Sequence, residues 1–130
     1  MNKITFTILF IIVSISYAYA GHLHPERYYQ IQWCADHNGQ MEYELDDQTR
    51  VDCLTDQYAI EFDFASKWAE AIGQSLYYAS KIDRKAGIVL IMEDSKDIRF
   101  MFRIWEVIDN YHLPIETWSI YPNDFGNDNK

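Results

Sequence analysis

Residues Tyr58 to Met92 change period twice, and this change limits the possible folds more than any other feature of the chain. Ile60, Phe62 and Phe64 alternate with Glu61 and Asp63, the two-residue period of a strand. From Ala65 onward the spacing becomes helical: Trp68, Ile72, Leu76 and Ala79 form an apolar stripe through KWAEAIGQSLYYASKI, with Ser66 placed to cap it. Lys67, Glu70, Gln74 and Tyr77 or Tyr78 fall on the other side. Ala86 to Met92 then reads as a buried strand by its unbroken hydrophobicity. Strand, helix and strand in succession make a right-handed crossover, so the second strand is expected parallel to the first. Gly73 inside the helix costs about 1 kcal/mol relative to Ala at an exposed site, and close packing against the sheet is its expected use.

The flanking segments extend this unit. Residues 25–34 begin with Pro at a first-turn position and Glu26 beside the positive end of the helix dipole, and Tyr28, Ile31 and Gln32 or Trp33 give a short stripe. Asp36-His37-Asn38-Gly39 is a turn. Gln40–Leu45 alternates as a strand with Met41, Tyr43 and Leu45 on one side. Arg50–Leu54 is a second strand, in which Val51 and Cys53 oppose Arg50, Asp52 and Leu54. With Tyr58–Phe64 they form a meander. Residues 94–112 read as a helix with Ile98, Met101 or Phe102, Trp105, Ile108 and Tyr111 or His112 inward. Pro114 ends it, and Ile115–Ile120 returns as an edge strand. The expected architecture is α/β, a mixed sheet flanked by helices in the order αβββαβαβ. Residues 21–122 form one domain and 123–130 a flexible tail.

At the start, MNK precedes the apolar run TFTILFIIVSIS, and Ala18-Tyr19-Ala20 suits signal peptidase, so residues 1–20 read as a signal peptide with a retained membrane anchor as the alternative. Its removal leaves 110 residues, enough for one core, and implies a secreted or periplasmic protein with no stable membrane insertion after cleavage. The net charge of −9 becomes −10 once Lys3 is lost, which disfavours nonspecific attraction to nucleic acid. Cys34 and Cys53 both lie in the exported part, where a bridge is the expected state and two buried thiols the alternative. Their spacing is not that of a zinc site.

Asp52 and Glu61 sit in the same phase of neighbouring strands, and Asp63 lies one pleat beyond Glu61, so the three acids share a face. A hard divalent cation relieves the repulsion of such a group. Mg²⁺ or Mn²⁺ held by one or two carboxylates can polarise a phosphodiester and lower the pKa of an attacking water. Lys67 is placed to contact phosphate or the water, and Gln74 to orient a water or bind the backbone. An ordinary solvated acidic face is the competing reading, as is a surface ion pair of Lys67 with Asp63 or Glu70. Trp33, Trp68, Trp105 and Trp118 read as core and boundary residues, and the four histidines have no convincing ligand spacing.

The segment Val51 to Ile91 resembles the PD-(D/E)xK nuclease superfamily, in particular its restriction-endonuclease-like and archaeal-Holliday-junction-resolvase-like members. Asp52 matches the aspartate of the "PD" strand, Glu61 the first acid of the "(D/E)xK" strand, and Gln74 in AIGQSLYY the glutamine of the following helix. Glu26 is similar to the acidic residue of the preceding helix, with Glu42 competing for that role. The motif lysine is replaced by Asp63, and Lys67 on the next helix is the substitute.

The resemblance implies metal-dependent phosphodiester hydrolysis with catalytic residues Asp52, Glu61, Lys67 and Gln74 and metal-holding acids Asp52, Glu61, Glu26 and Asp63. DNA or RNA is the implied substrate, and a homodimer is compatible with resolvase-like chemistry. Asp63 and the acidic balance support the alternative, a noncatalytic protein of the same fold that binds a protein partner.

Overall fold

A strand with both faces apolar or buried needs a covering layer on each side, and Tyr58–Phe64 is such a strand. The computed structural model describes residues 21–125. In chain order the elements are α1 (Glu26–Asp36), β1 (Gln40–Glu44), β2 (Arg50–Leu54), β3 (Tyr58–Phe64), α2 (Trp68–Lys81), β4 (Lys85–Ile91), α3 (Ile98–Tyr111) and β5 (Ile115–Ile120), with short 3-10 turns at Ala65–Lys67, Ser95–Asp97 and Pro122–Phe125. This is the expected element order. The five strands form one open mixed sheet in the order β1-β2-β3-β4-β5: β1, β2 and β3 are antiparallel, and β4 and β5 continue parallel to β3.

The strand alternation divides the core. On one face, Tyr29, Trp33 and Cys34 of α1 cover Ile60 and Phe62 of β3 and Val89 and Ile91 of β4. On the other, Ala71 of α2 and Phe100, Met101 and Ile104 of α3 cover Ile88 and Leu90. A disulfide between Cys34 and Cys53, Cα atoms 5.9 Å apart, ties α1 to β2. Before α1, Glu93 anchors the incoming chain: the Tyr29 hydroxyl donates to it at 2.7 Å, the His24 backbone N–H at 3.3 Å, and His22 Nδ1 lies 2.9 Å away. Among the described residues no helix is long and apolar enough to cross a membrane. The leader expected over residues 1–20 lies outside the described residues, as do positions 126–130 of the expected tail. Positions 123–125 lie in the last 3-10 turn, with Phe125 packed on the α1-side core.

The faces differ from expectation in four places. α1 buries Tyr29, Gln30, Trp33 and Cys34 and leaves Tyr28 and Ile31 outside, because the bridge from Cys34 fixes the side that meets the sheet. α2 buries Ala71, Ser75 and Tyr78, with Trp68 and Ile72 at the margin, and its start has no side-chain cap from Ser66. α3 keeps Met101 and Ile108 toward the sheet but exposes Ile98 (42%), Phe102 (60%) and Trp105 (47%). That helix carries two apolar stripes, so its pattern alone does not choose between them. Trp105 instead donates its indole N–H to Thr117 at 2.9 Å from the outer side. The fourth difference is in β1 and β2, where Met41 and Cys53 belong to the α1-side core, whereas Tyr43, Leu45 and Val51 pack with Tyr78 on the α2 side.

Two glycines have opposite roles. A Cβ on Gly39 would collide with Cys53 Sγ and lie 2.6 Å from Cys34 Sγ, so the turn after α1 must be bare to pass the disulfide. A Cβ on Gly73 would meet no atom within 4 Å among the described residues, so the close packing expected of it is not its role. Chemical denaturation should therefore find Gly73→Ala stabilised by about 0.5–1 kcal/mol and Gly39→Ala destabilised by about 1–3 kcal/mol.

Candidate functional site

The site begins where the antiparallel ladder stops. β2 and β3 pair only at Cys53–Ile60 and Leu54–Ala59. The next level would set Asp52 against Glu61, but there the Phe62 backbone N–H donates to Asp52 Oδ2 at 2.8 Å. A side chain replaces a ladder bond, and the two strands fork. On the other edge of β2 the ladder skips the same level: Met41–Cys53 and Tyr43–Val51 pair, while Glu42, opposite Asp52, adopts a left-handed φ of 54°. For a residue with a Cβ this conformation is strained, and it marks the point where the side-chain alternation of both strands changes face.

Asp52, Glu61 and Asp63 therefore meet on the α2 side, and they are buried. Glu61 and Asp63 are each 5% exposed and Asp52 is half-buried. Glu61 is held strongly toward its protonated form, first by burial and then by the charge of Asp52, to which it is hydrogen-bonded. Asp52 is also raised by burial, with the Phe62 N–H and the Glu61 hydrogen bond pulling the other way. Glu61 Oε2 is buried and has no donor among the described residues. A pair of carboxyls in such a place must share a proton or a cation.

Two further acids and one ammonium extend the group. Burial raises Asp63 to about 7, the charges of Glu26 and Glu70 add to it, and Lys67 opposes it. Burial raises Glu26 to about 7, Asp52 and Glu42 add to it, and Lys67 and the Gln30 side chain oppose it. The Gln30 amide donates to Glu26 Oε1 at 2.8 Å and is itself buried. Lys67 stands in the turn before α2, exposed and with no carboxylate within 4.0 Å among the described residues, so it acts on Glu26 and Asp63 from a distance.

Residues from α1, β2, β3 and the turn before α2 thus come within each other's fields. Gln74 stands one turn from Tyr78, beside its hydroxyl, and is exposed. Tyr78 is buried and pushed up to about 12, first by burial and then by Glu61 and Asp52, which makes it a protonated donor at this site. Its helical phase marked it only as one of two tyrosines, and the stripe drawn through Trp68 and Ile72 hid its inward direction. Glu42 joins the group through the break in β1, for which a Met-Glu-Tyr sequence carries no signal. Among the described residues no group of three His, Cys, Asp or Glu side chains stands assembled to hold a metal ion. Compared with protein-family models, curated proteins and solved structures, the chain matches none of them.

The raised acids set the pH dependence of stability. A carboxyl with a higher pKa folded than unfolded imposes no penalty below the unfolded value, and stability falls as pH rises toward the folded one. With Asp63 moving from 3.8 to about 7 and Glu26 from 4.5 to about 7, the window lies between roughly pH 4 and 7. Denaturant unfolding in EDTA should give a protein less stable at pH 8 than at pH 5, with Asp63 alone contributing on the order of 2–4 kcal/mol. Asp63→Asn should flatten the difference, and an unchanged slope in that variant would contradict the assignment.

Proposed function

We propose that the chain is an exported, metal-dependent phosphodiesterase of the PD-(D/E)xK type, acting on DNA or RNA with Asp52 and Glu61 as its central acids. The observation that carries this reading is the buried Asp52–Glu61 carboxyl pair at the fork of an antiparallel hairpin, with Asp63, Glu26 and the Lys67 ammonium around it. The order of elements, with an antiparallel meander followed by a helix and a parallel strand, supports a restriction-endonuclease-like sheet. The Cys34–Cys53 bridge supports an oxidising destination, secreted or periplasmic.

The donor chemistry fits Mg²⁺ or Mn²⁺. The available donors are carboxylate oxygens, one of them buried without a partner among the described residues, and a cation that keeps several waters needs only one or two carboxylates from the protein. Asp52 and Glu61 would hold it, with Asp63 and Glu26 alongside. When bound, the ion would polarise a phosphodiester oxygen and lower the pKa of a coordinated water. Lys67, with no close carboxylate among the described residues, is suited to a phosphate oxygen or the attacking water. Tyr78 can donate a hydrogen bond at neutral pH, and Gln74 steadies its hydroxyl. Asp63, in the place of the motif lysine, cannot donate to phosphate once ionised, so that role passes to Lys67.

A second reading, a noncatalytic binding protein of the same fold, is favoured by Asp63 and by the lack of an assembled three-donor group among the described residues. Purified protein incubated with plasmid DNA and with labelled RNA should cleave one of them in Mg²⁺ or Mn²⁺ and stop in EDTA. Glu61→Gln should lower the rate on the order of 100-fold or more, and Lys67→Ala by about 10- to 100-fold. Calorimetric Mn²⁺ binding lost in Glu61→Gln, but without cleavage of either substrate, would favour the second reading. Neither binding nor cleavage would remove the metal from both.

A further inference from the structure

The α1 face of the sheet carries a second site of different chemistry. Helix α1 lies over β1, β2 and β3 there, and beyond its C-terminal end is a cleft of about 230 Å³ walled by Trp33 of α1, Tyr58 of β3 and Trp118 of β5, with Asp56 on the β2–β3 turn at its rim. Trp118 forms the central wall. Its ring lies over β4 at Gly87, where a Cβ would collide with Ile60 Cδ1 and approach the indole to 2.9 Å, so this glycine makes room for both side chains. Tyr58 meets Trp118 at 5.1 Å between centroids and 85° between planes, and Trp33 meets it at 5.5 Å and 63°. Trp33 and Tyr58 are thus each set steeply to the Trp118 ring, as walls against a common wall, and do not form one flat platform with it.

The outer parts of this cleft are fixed. The His37 ring stacks on Trp33 at 3.6 Å and 12°, with His37 Nδ1 2.7 Å from the Trp33 carbonyl oxygen. Arg84 Nε donates to the Thr55 carbonyl at 3.0 Å, which holds the turn that presents Asp56. Asp56 is exposed and has no ion-pair partner among the described residues.

We propose that this cleft binds a compact organic cation of the methylated or quaternary ammonium class. Aromatic faces carry negative quadrupole potential, and rings set at steep angles can turn several faces toward one rounded cation. A planar base would need one broad open platform, whereas here Trp33 and Tyr58 both stand steeply against Trp118. Asp56 supplies a full negative charge at the mouth, and the net charge of −9 raises the local concentration of cations. The methylated head is weakly hydrated, so it enters an apolar cleft at less cost than ammonium itself. The site is on the opposite face of the sheet from the carboxyl pair and stands independently of the nuclease reading.

The test is titration of the full mature protein with choline chloride at constant ionic strength, followed by tryptophan fluorescence and by the indole N–H signals of Trp33 and Trp118. The neutral isostere 3,3-dimethyl-1-butanol is titrated in parallel. Saturable choline binding at least about tenfold tighter than the alcohol is expected, as a cation–π contribution of about 1.4 kcal/mol requires. Trp118→Leu, which keeps apolar bulk and removes the indole, should abolish the preference. Asp56→Asn, at an exposed turn that leaves folding intact, should weaken choline several-fold and leave the alcohol unchanged. Equal binding of the two probes, no saturation, or choline affinity unaffected in Asp56→Asn would overturn the proposal.

Discussion

The bond from the Phe62 backbone N–H to Asp52 Oδ2 is the contact on which the arrangement turns. A backbone donor inside a sheet has to be satisfied, and at this level the partner strand's carbonyl is not used. Because a carboxylate accepts in its place, β2 and β3 can separate without leaving an orphaned N–H, and the space between them admits other side chains. Glu61 then lies beside Asp52 with no ladder between them, and Glu26 from the opposite helix and Lys67 from the following turn come within electrostatic reach. The break has a counterpart in β1, where Glu42 takes a left-handed conformation at the matching level, so the distortion runs through the whole antiparallel half of the sheet.

Such a site costs stability. Removing an ionised carboxylate from water carries an effective penalty of several kcal/mol, and here four acids compete for one exposed ammonium. The protein meets the cost by retaining protons: Glu61 is held protonated, and Asp63 and Glu26 are raised to about 7. The disulfide works in the same direction. It joins α1, which carries Glu26, to β2, which carries Asp52, and constrains the unfolded chain by an amount typically worth about 2–4 kcal/mol. The covalent tie and the electrostatic strain therefore involve the same two elements.

Much of this is legible in the sequence, for definite reasons. The switch from alternation in Tyr58–Phe64 to helical spacing and then to Ala86–Met92 fixed the parallel β3–α2–β4 unit, because only one handed crossover joins such segments. The acids on β3 were placed correctly because Ile60 and Phe62 left them no other face. Where two faces were almost equally apolar, the pattern could not decide. In α3 the stripes Ile98-Phe102-Trp105 and Met101-Ile104-Ile108 are both hydrophobic, and the sheet took the second. In β1 and β2 the alternation fails at Glu42 and Asp52, since neither a left-handed glutamate nor a side chain standing in for a carbonyl leaves a mark in periodicity. Trp118 was read as a boundary residue, and nothing local to β5 signals that Gly87 on the next strand clears space for its ring.

Helix α1 bears on both faces of the problem. Its first turn carries Glu26 and Gln30 toward the fork, and its last turns carry Trp33 and His37 to the aromatic cleft. Eleven residues of helix are about 16 Å long, so the two ends are separate sites on one rigid rod. Cys34 lies near the C-terminal end, which leaves the aromatic end covalently fixed to β2 and the Glu26 end held by Tyr29 and the hydrogen bonds to Glu93. The acidic end is consequently the one held by noncovalent contacts alone. A cation drawn into the carboxyl group would have to work against the packing of Tyr29 and the Glu93 anchor to move Glu26, whereas Asp52, Glu61 and Asp63 are set by the sheet itself. The hierarchy of rigidity therefore makes the acids of the strands the fixed members of the group and leaves Glu26 as the adjustable one.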